Sequence, residues 1–356
     1  MKSLGNFPDP FRAEIAGQPD ACRRAAGAIG EQAPALDRIR DLARDTSLVF
    51  AGMGSSYDAC YPAIVELARA GVAAVQVDAA ELLHFRTAML RTGTTLIAVS
   101  QSGESAEVVR LARELVARPD RGGLIGVTNG TDNTLASLAD VAIDSRAGEE
   151  AGPSTMTFAA SLVAVAAISR VLAGSDRALV VERTAEEAEA VAGAIERLLA
   201  DETLGDRLGR WYGDRGSLVI LGRGPARAAA EMAALTLKEA VGIPVESLET
   251  AQFRHGPLEL VGPDLAVMLI ATEPETVDLD LRFAGELGDA GARVVAITAG
   301  RAAPLGVDGL DLGAVRGPIA PAASVVPAQL LAWRLAPAHG RAPGAYYRAT
   351  KVTTVE

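Results

Sequence analysis

The chain has 356 residues, enough for two domains at the usual length of about 150 each. Its residues are 49% hydrophobic but only 4% aromatic, which suits helices packed on parallel strands and argues against a β-sandwich. Thirty-four Lys and Arg against 45 Asp and Glu leave a net charge of −11, a field that repels nucleic acid and anionic membranes, so neither is expected as a partner.

In chain order, residues 18–39 read as one or two leading helices. Two cysteines, Cys22 and Cys60, make no disulfide framework, and the first thirty residues hold no secretory apolar core, so a reducing cytoplasm is expected. Short apolar runs at 47–51, 73–77, 95–100, 123–128 and 140–143 read as strands, with helical patterns such as 57–70 and 106–117 between them. Strands alternating with helices imply an α/β fold with a parallel sheet covered on both faces. The longest uncharged stretch is 151–169, but Gly152, Pro153 and several hydroxyls occupy its first third. The remaining apolar run, 158–168, is too short to span a bilayer and reads as a buried core helix. A helical connector is expected over 179–208, where charged and apolar residues alternate at helical spacing.

The pattern then repeats. SLVFAGMGSS begins at Ser47 and SLVILGRGPA begins 170 residues later at Ser217; LIGVT ends at Thr128 and VVAIT ends at Thr298, the same interval. TTLIAVS and LAVMLIA answer each other at nearly that offset. Two copies of one domain follow, with a helical segment at 1–40, a first domain at 41–178, the connector at 179–208, a second domain at 209–340 and a tail at 341–356.

Ligands of such sheets sit at the carboxyl ends of strands, where the strand order reverses. In the first copy the turn Ser100-Gln101-Ser102-Gly103-Glu104-Ser105 lies between a strand and a helix. Its amides, hydroxyls and helix N-terminus suit a phosphate without any charged side chain. Gly52-Met53-Gly54-Ser55-Ser56 supplies a second small, polar turn beside it. The plainer alternative is a capped turn in which Ser102 and Ser105 are ordinary helix caps. In the second copy the matching turn, ATEPET, carries two glutamates and a proline, and is expected not to bind phosphate. Gly222-Arg223-Gly224 is weak evidence of a ligand and marks a tight turn equally well.

The helix opening near Pro225 places Met232, Leu235 and Glu239 on one face, so the carboxylate is expected to be partly buried, with its pKa raised toward the range of a general base. The alternative is an ion pair with Lys238 or Arg254. Of three histidines, His255 in the turn-forming RHGP is the candidate proton shuttle; His84 reads as packing and His339 as a solvated loop residue. No histidine pair has metal-ligand spacing, and neither a metal nor another cofactor is expected.

Together AGMGSSYDA, VSQSGESAEVV, LGRGPARAAAEMAALTLKEAVG, ETAQFRHGPLELV and the terminal KVTTVE resemble the sugar isomerase (SIS) family, specifically the isomerase half of glucosamine-6-phosphate synthase and its stand-alone relatives. The resemblance implies two tandem flavodoxin-like domains, a phosphosugar substrate and a homodimer. It implies phosphate-site residues Ser56, Ser100, Gln101, Ser102 and Ser105, to which the second small turn adds Gly54 and Ser55 as expected substrate-binding residues. It further implies that Glu239 moves a proton between C1 and C2, that His255, contributed by the neighbouring subunit, helps open the sugar ring, and that Lys351 in the tail lies over the substrate.

Three departures from the family pattern bear on activity. The sequence runs from Met1-Lys2-Ser3 directly into the resembling region, so glutamine is not expected to be its ammonia source. Thr236 stands where the synthase has a lysine, and the family loop GVASTKTF appears as GPSTMTF at 152–158, with Met156 in place of lysine. The resulting expectation is a glutamine-independent glucosamine-6-phosphate deaminase that yields fructose 6-phosphate and ammonia. A fructosamine-6-phosphate deglycase and a non-catalytic sugar-phosphate sensor are the alternatives.

Overall fold

A strand that must be re-entered from the same end as its neighbour needs a crossover, and a helix supplies it. The computed structural model describes residues 10–355, so the parts of the expected N-terminal and tail segments at 1–9 and 356 lie outside the described residues. Among the described residues ten strands form in chain order: β1 (Ser47–Gly52), β2 (Ala74–Asp78), β3 (Thr94–Val99), β4 (Gly123–Thr128), β5 (Val141–Asp144), β6 (Ser217–Gly222), β7 (Val245–Glu249), β8 (Leu265–Ala271), β9 (Arg293–Thr298) and β10 (Asp308–Asp311). They make two five-stranded, wholly parallel sheets, ordered β2-β1-β3-β4-β5 and β10-β9-β8-β6-β7. Read from the same edge these are one topology, the flavodoxin-like order, with the reversal between β1 and β3 in one sheet and between β6 and β8 in the other.

The chain divides into two compact units, each built on one sheet. The first-sheet unit comprises residues 20–149, 155–189 and 348–355; the second-sheet unit comprises residues 10–19, 150–154 and 190–347. In the first, Val49, Ala51, Leu96, Ala98, Leu111, Leu115 and Leu124 pack into one core cluster. The helix Met156–Leu172 belongs to this unit and is buried along nearly its whole length, as the uncharged run required. Among the described residues no helix is long and apolar enough to cross a membrane. In the second unit the matching cluster gathers Val219, Leu221, Val267, Leu269, Phe283, Leu287 and Val294.

Local chemistry explains where elements break. The helical pattern at 57–70 resolves into Ser55–Asp58 and Tyr61–Arg69, with Pro62 in the first turn of the second helix, where a missing N–H costs nothing. The leading helical segment divides in the same way, into Gln18–Glu31 and Ala33–Leu42 with Pro34 in the first turn. His84, expected to pack, is instead exposed on the helix Ala79–Phe85.

The repeat is also a repeat of backbone devices. Gly54 and Gly224 hold φ of 52° and 55° at matching turns. At Gly52 an added Cβ would lie 2.9 Å from backbone atoms of Ser56 and Tyr57 and 3.0 Å from the Val99 carbonyl. At Gly222 it would lie 2.6 Å from the Ala226 carbonyl. These glycines let the chain fold back tightly at the end of each central strand. Gly52→Ala is therefore expected to lower unfolding free energy by about 1–3 kcal/mol through overpacking. Gly27→Ala, with nothing within 4 Å of the new methyl inside the helix Gln18–Glu31, should be neutral or stabilising by up to about 1 kcal/mol. Urea denaturation of both variants measures the contrast.

Candidate functional site

The crevice at a topological switch point exists because the connections after its two strands leave toward opposite faces. In the first-sheet unit Ala51 on β1 lies beside Ala98 on β3, so the Gly52–Ser56 and Ser100–Ser105 turns emerge next to each other. Ser56 and Ser100 are buried, Ser55, Gln101, Ser102 and Ser105 are half-buried, and Gly54 is exposed. Ser100 Oγ and Ser105 Oγ lie 3.1 Å apart.

The turn is held by its own backbone. The amide of Gly103 donates to the Ser100 carbonyl at 3.1 Å, Leu135 donates to the Gly103 carbonyl at 3.0 Å, and Asn129 donates to the Gln101 carbonyl at 2.9 Å. Gly103 has φ of 65°, and a Cβ there would fall 1.9 Å from Asn133 Oδ1. Glu104 is turned onto Thr134, accepting its amide at 2.6 Å and its hydroxyl at 2.9 Å. The one carboxylate of the SQSGES turn is thus engaged at the start of the next helix.

The capped-turn alternative is only half realised. Ser102 Oγ accepts the Glu104 amide at 3.1 Å and so stabilises its own turn. Ser105 stands at the N-cap of the helix Ala106–Val116, but its side chain makes no capping bond. The first helical amide, Ala106 N–H, goes instead to the Thr353 carbonyl at 3.0 Å. The C-terminal segment therefore runs along this helix N-terminus, and Lys351 sits two residues from that contact within the same unit. The expected set of free amides is reduced by one, and the tail takes its place.

At the second switch point the same location is filled by ion pairs. Arg223, from the turn after β6, lies 2.9 Å from Asp280 and 3.5 Å from Glu249. Asp280 is buried and accepts the Thr276 hydroxyl at 2.9 Å. Burial pushes its carboxyl pKa up, opposed by the Arg223 charge. Glu273 is also buried, in the turn itself. Carboxylates fill this switch point, in line with the ATEPET sequence. Asp280→Ala removes one partner of a buried pair and is expected to cost about 3 kcal/mol of stability, measurable by chemical denaturation; a loss below 1 kcal/mol would mean the pair is solvated.

Glu239 and His255 both belong to the second-sheet unit. The helix Ala226–Ala240 starts beyond the carboxyl end of β6 and returns to the start of β7, so Glu239, in its last turn, lies at the amino edge of the sheet. His255 follows the carboxyl end of β7 and the short helix Thr250–Phe253, and is exposed. Fifteen residues of helix place the two about 20 Å apart along the strand direction. One chain does not bring this glutamate and this histidine together. Glu239 is half-buried, and Arg254, one candidate ion-pair partner, is instead committed to Glu286 at 2.5 Å and to the face of Phe283.

Several groups around Glu239 carried no signal in the sequence. Arg341 donates to the Glu239 carbonyl at 3.2 Å, at the helix end where a cation is favoured. Tyr346 donates its hydroxyl to the Gly152 carbonyl at 3.0 Å. Glu14 is buried and accepts the amides of Ala151 at 2.6 Å and Gly152 at 3.1 Å. Burial, then the charges of Glu239, Glu150 and Glu14, push the Tyr346 phenol well above its usual range and keep it protonated. Both cysteines are buried, which raises the Cys22 thiol to about 12 and pushes Cys60 up as well. Among the described residues no cluster of His, Cys, Asp and Glu could hold a metal ion.

Two sheets of one flavodoxin-like topology, with small polar turns at the switch point of the first, define a tandem α/β protein. The SIS domain family matches residues 41–169 and 212–336, and the chain belongs to that family. It is 31% identical to glutamine–fructose-6-phosphate aminotransferase (isomerizing) of Aeropyrum pernix, over 99% of this chain and 58% of that protein. The corresponding enzyme of Leifsonia xyli is 30% identical over 94% of this chain and 57% of its own length. The chain thus spans a little under three fifths of these relatives. Among solved structures, the C-terminal domain of glucosamine-fructose-6-phosphate aminotransferase from Francisella tularensis superposes with a TM-score of 0.84 at 24% identity, covering 97% of this chain and 100% of that one. Glucosamine-6-phosphate deaminase from Thermotoga maritima gives 0.74 at 19% identity, covering 96% and 99%. At these identities the structures establish the fold.

Proposed function

We propose that the chain is a phosphosugar aldose–ketose isomerase acting on an amino-sugar phosphate, and that it releases ammonia from glucosamine 6-phosphate to give fructose 6-phosphate. The observation that carries this reading is the pair of small polar turns at the first switch point, beside a helix N-terminus whose N-cap side chain makes no capping bond and whose first amide is held by the tail bearing Lys351. In this role Gly54, Ser55, Ser56, Ser100, Gln101, Ser102 and Ser105 hold the phosphate, so that the reacting carbons lie away from the anion. Glu239 removes the C2 proton and returns it to C1, His255 serves the ring oxygen, and Lys351 covers the substrate. Proton removal from C2 of the open-chain sugar gives a C1–C2 enolamine, and its protonation at C1 leaves an imine at C2, which water hydrolyses to the C2 ketone of fructose 6-phosphate and ammonia. The relatives named above as isomerizing aminotransferases support the isomerase half of this chemistry.

The distance between Glu239 and His255 along the second sheet supports a homodimer in which each site takes its histidine from the other subunit. Exposed Leu258 and Leu260, immediately after His255, give that loop apolar surface for such a contact.

Glu239→Gln keeps the shape and removes the base. Turnover of glucosamine 6-phosphate, followed as ammonia release, is expected to fall about 10²–10⁴-fold, with solvent-deuterium exchange at C2 falling in parallel and substrate affinity changing little. Wild-type C2 exchange in the variant would assign the proton transfer to another group. Release of glucose 6-phosphate from a fructosamine 6-phosphate, without ammonia from glucosamine 6-phosphate, would replace the deaminase with a deglycase; binding of phosphosugars without turnover would make the protein a sensor. Mixing Glu239→Gln with His255→Ala subunits should restore part of the activity, and no recovery despite demonstrated subunit exchange would place both groups in one chain's site.

A further inference from the structure

Residues 341–347 form a short folded segment within the second-sheet unit. Arg341 stacks over Tyr347, 5.0 Å from the ring centroid to the guanidinium carbon, while the Tyr347 hydroxyl accepts the Ala342 amide at 2.7 Å. The amide of Ala345 closes the turn onto the Ala342 carbonyl at 3.2 Å. At one end, Arg341 rests on the carbonyl of Glu239 itself and crosses Gly242, where φ of 77° favours glycine and a Cβ would lie 2.2 Å from the guanidinium. At the other end, Gly344 packs backbone to backbone: a Cβ there would lie 2.9 Å from the Cβ of Phe11, and one on Gly152 would lie 3.3 Å from the Gly344 Cα. Tyr346 completes the arrangement with its bond to the Gly152 carbonyl, on the residue whose amide Glu14 holds.

We propose that Tyr346 is a positioning residue for the chemistry at Glu239: its hydroxyl, bound to the Gly152 carbonyl, fastens the 341–347 segment whose Arg341 rests on the end of the Glu239 helix. This rests on the assignment of Glu239 as the base, but the clasp itself is a property of the fold and is testable without substrate. The half-buried phenol is the only donor that the side chain of Tyr346 offers to the Gly152 carbonyl, while the Glu14 carboxylate holds the N–H of the same residue, one peptide earlier. The clasp therefore acts through two peptide groups of one loop. The loop is the one in which Met156 follows in place of a lysine, so a side chain remote in sequence bears on the region where this chain departs from its relatives.

Tyr346→Phe preserves the ring and deletes the donor, and it is expected to fold with wild-type circular dichroism. Amide hydrogen exchange across 150–154 and 342–347 should accelerate about tenfold or more relative to wild type while the β8 and β9 amides remain unchanged. With glucosamine 6-phosphate, kcat should fall about tenfold and KM should stay within twofold, because the phosphate turns are untouched; a merely structural defect lowers the active fraction and leaves the C2-exchange rate per turnover unchanged, whereas misplacement of the base changes it. Wild-type protection of 150–154 and 342–347 in the variant overturns the clasp, and faster exchange with unchanged kcat overturns the positioning role. Absence of C2 exchange in the unsubstituted protein would instead remove the assigned reaction, and the hydrogen-exchange result would still decide the clasp.

Discussion

Everything that positions the candidate site follows from one constraint: β1 and β3 are hydrogen-bonded neighbours whose following helices lie on opposite faces of a parallel sheet. That arrangement leaves the carboxyl ends of two adjacent strands uncovered, and it forces the chain to turn sharply at both. Gly52 meets the demand by having no Cβ to strike the Val99 carbonyl and the next helix. The turn after β3 meets it with Gly103 at positive φ against Asn133. Small residues are needed there for steric reasons before any ligand is considered.

The two sheets show how the same frame accepts opposite chemistry. Where the first has Met53 and a serine turn, the second has Arg223 facing Asp280 and Glu249, with Glu273 buried in the turn. There a buried carboxylate is paired with arginine. Duplication preserved the glycines at 52, 54, 222 and 224, which serve the backbone, and changed the side chains that decide what can bind.

The sequence made the frame legible because its signals are local. Apolar runs of strand length fixed the strands to within about a residue, the 170-residue repeat fixed their doubling, and Pro62 explains the one helix that splits in the first domain's βα unit. The serine turns were visible as an abrupt change from an apolar run to small polar residues. Glu239 was visible as the continuation of a helical face through Met232. What stayed hidden depends on pairs far apart in the chain: Glu14 with Gly152, Tyr346 with Gly152, and Ala106 with Thr353. No periodicity encodes such contacts. The separation of Glu239 from His255 was hidden for a different reason, since it depends on which end of a helix each residue occupies rather than on spacing in the sequence.

The central claim is that the anion of the substrate is held by the turns of the first sheet and not by those of the second. A crystal structure of the protein soaked with fructose 6-phosphate tests it most directly. The phosphate should lie within hydrogen-bond distance of the Ser100–Ser105 turn, with Ser100 and Ser105 hydroxyls reoriented from each other toward its oxygens and the sugar directed away from the helix N-terminus. Phosphate density at Arg223, reached by displacing Asp280, with the serine turn empty, would contradict it.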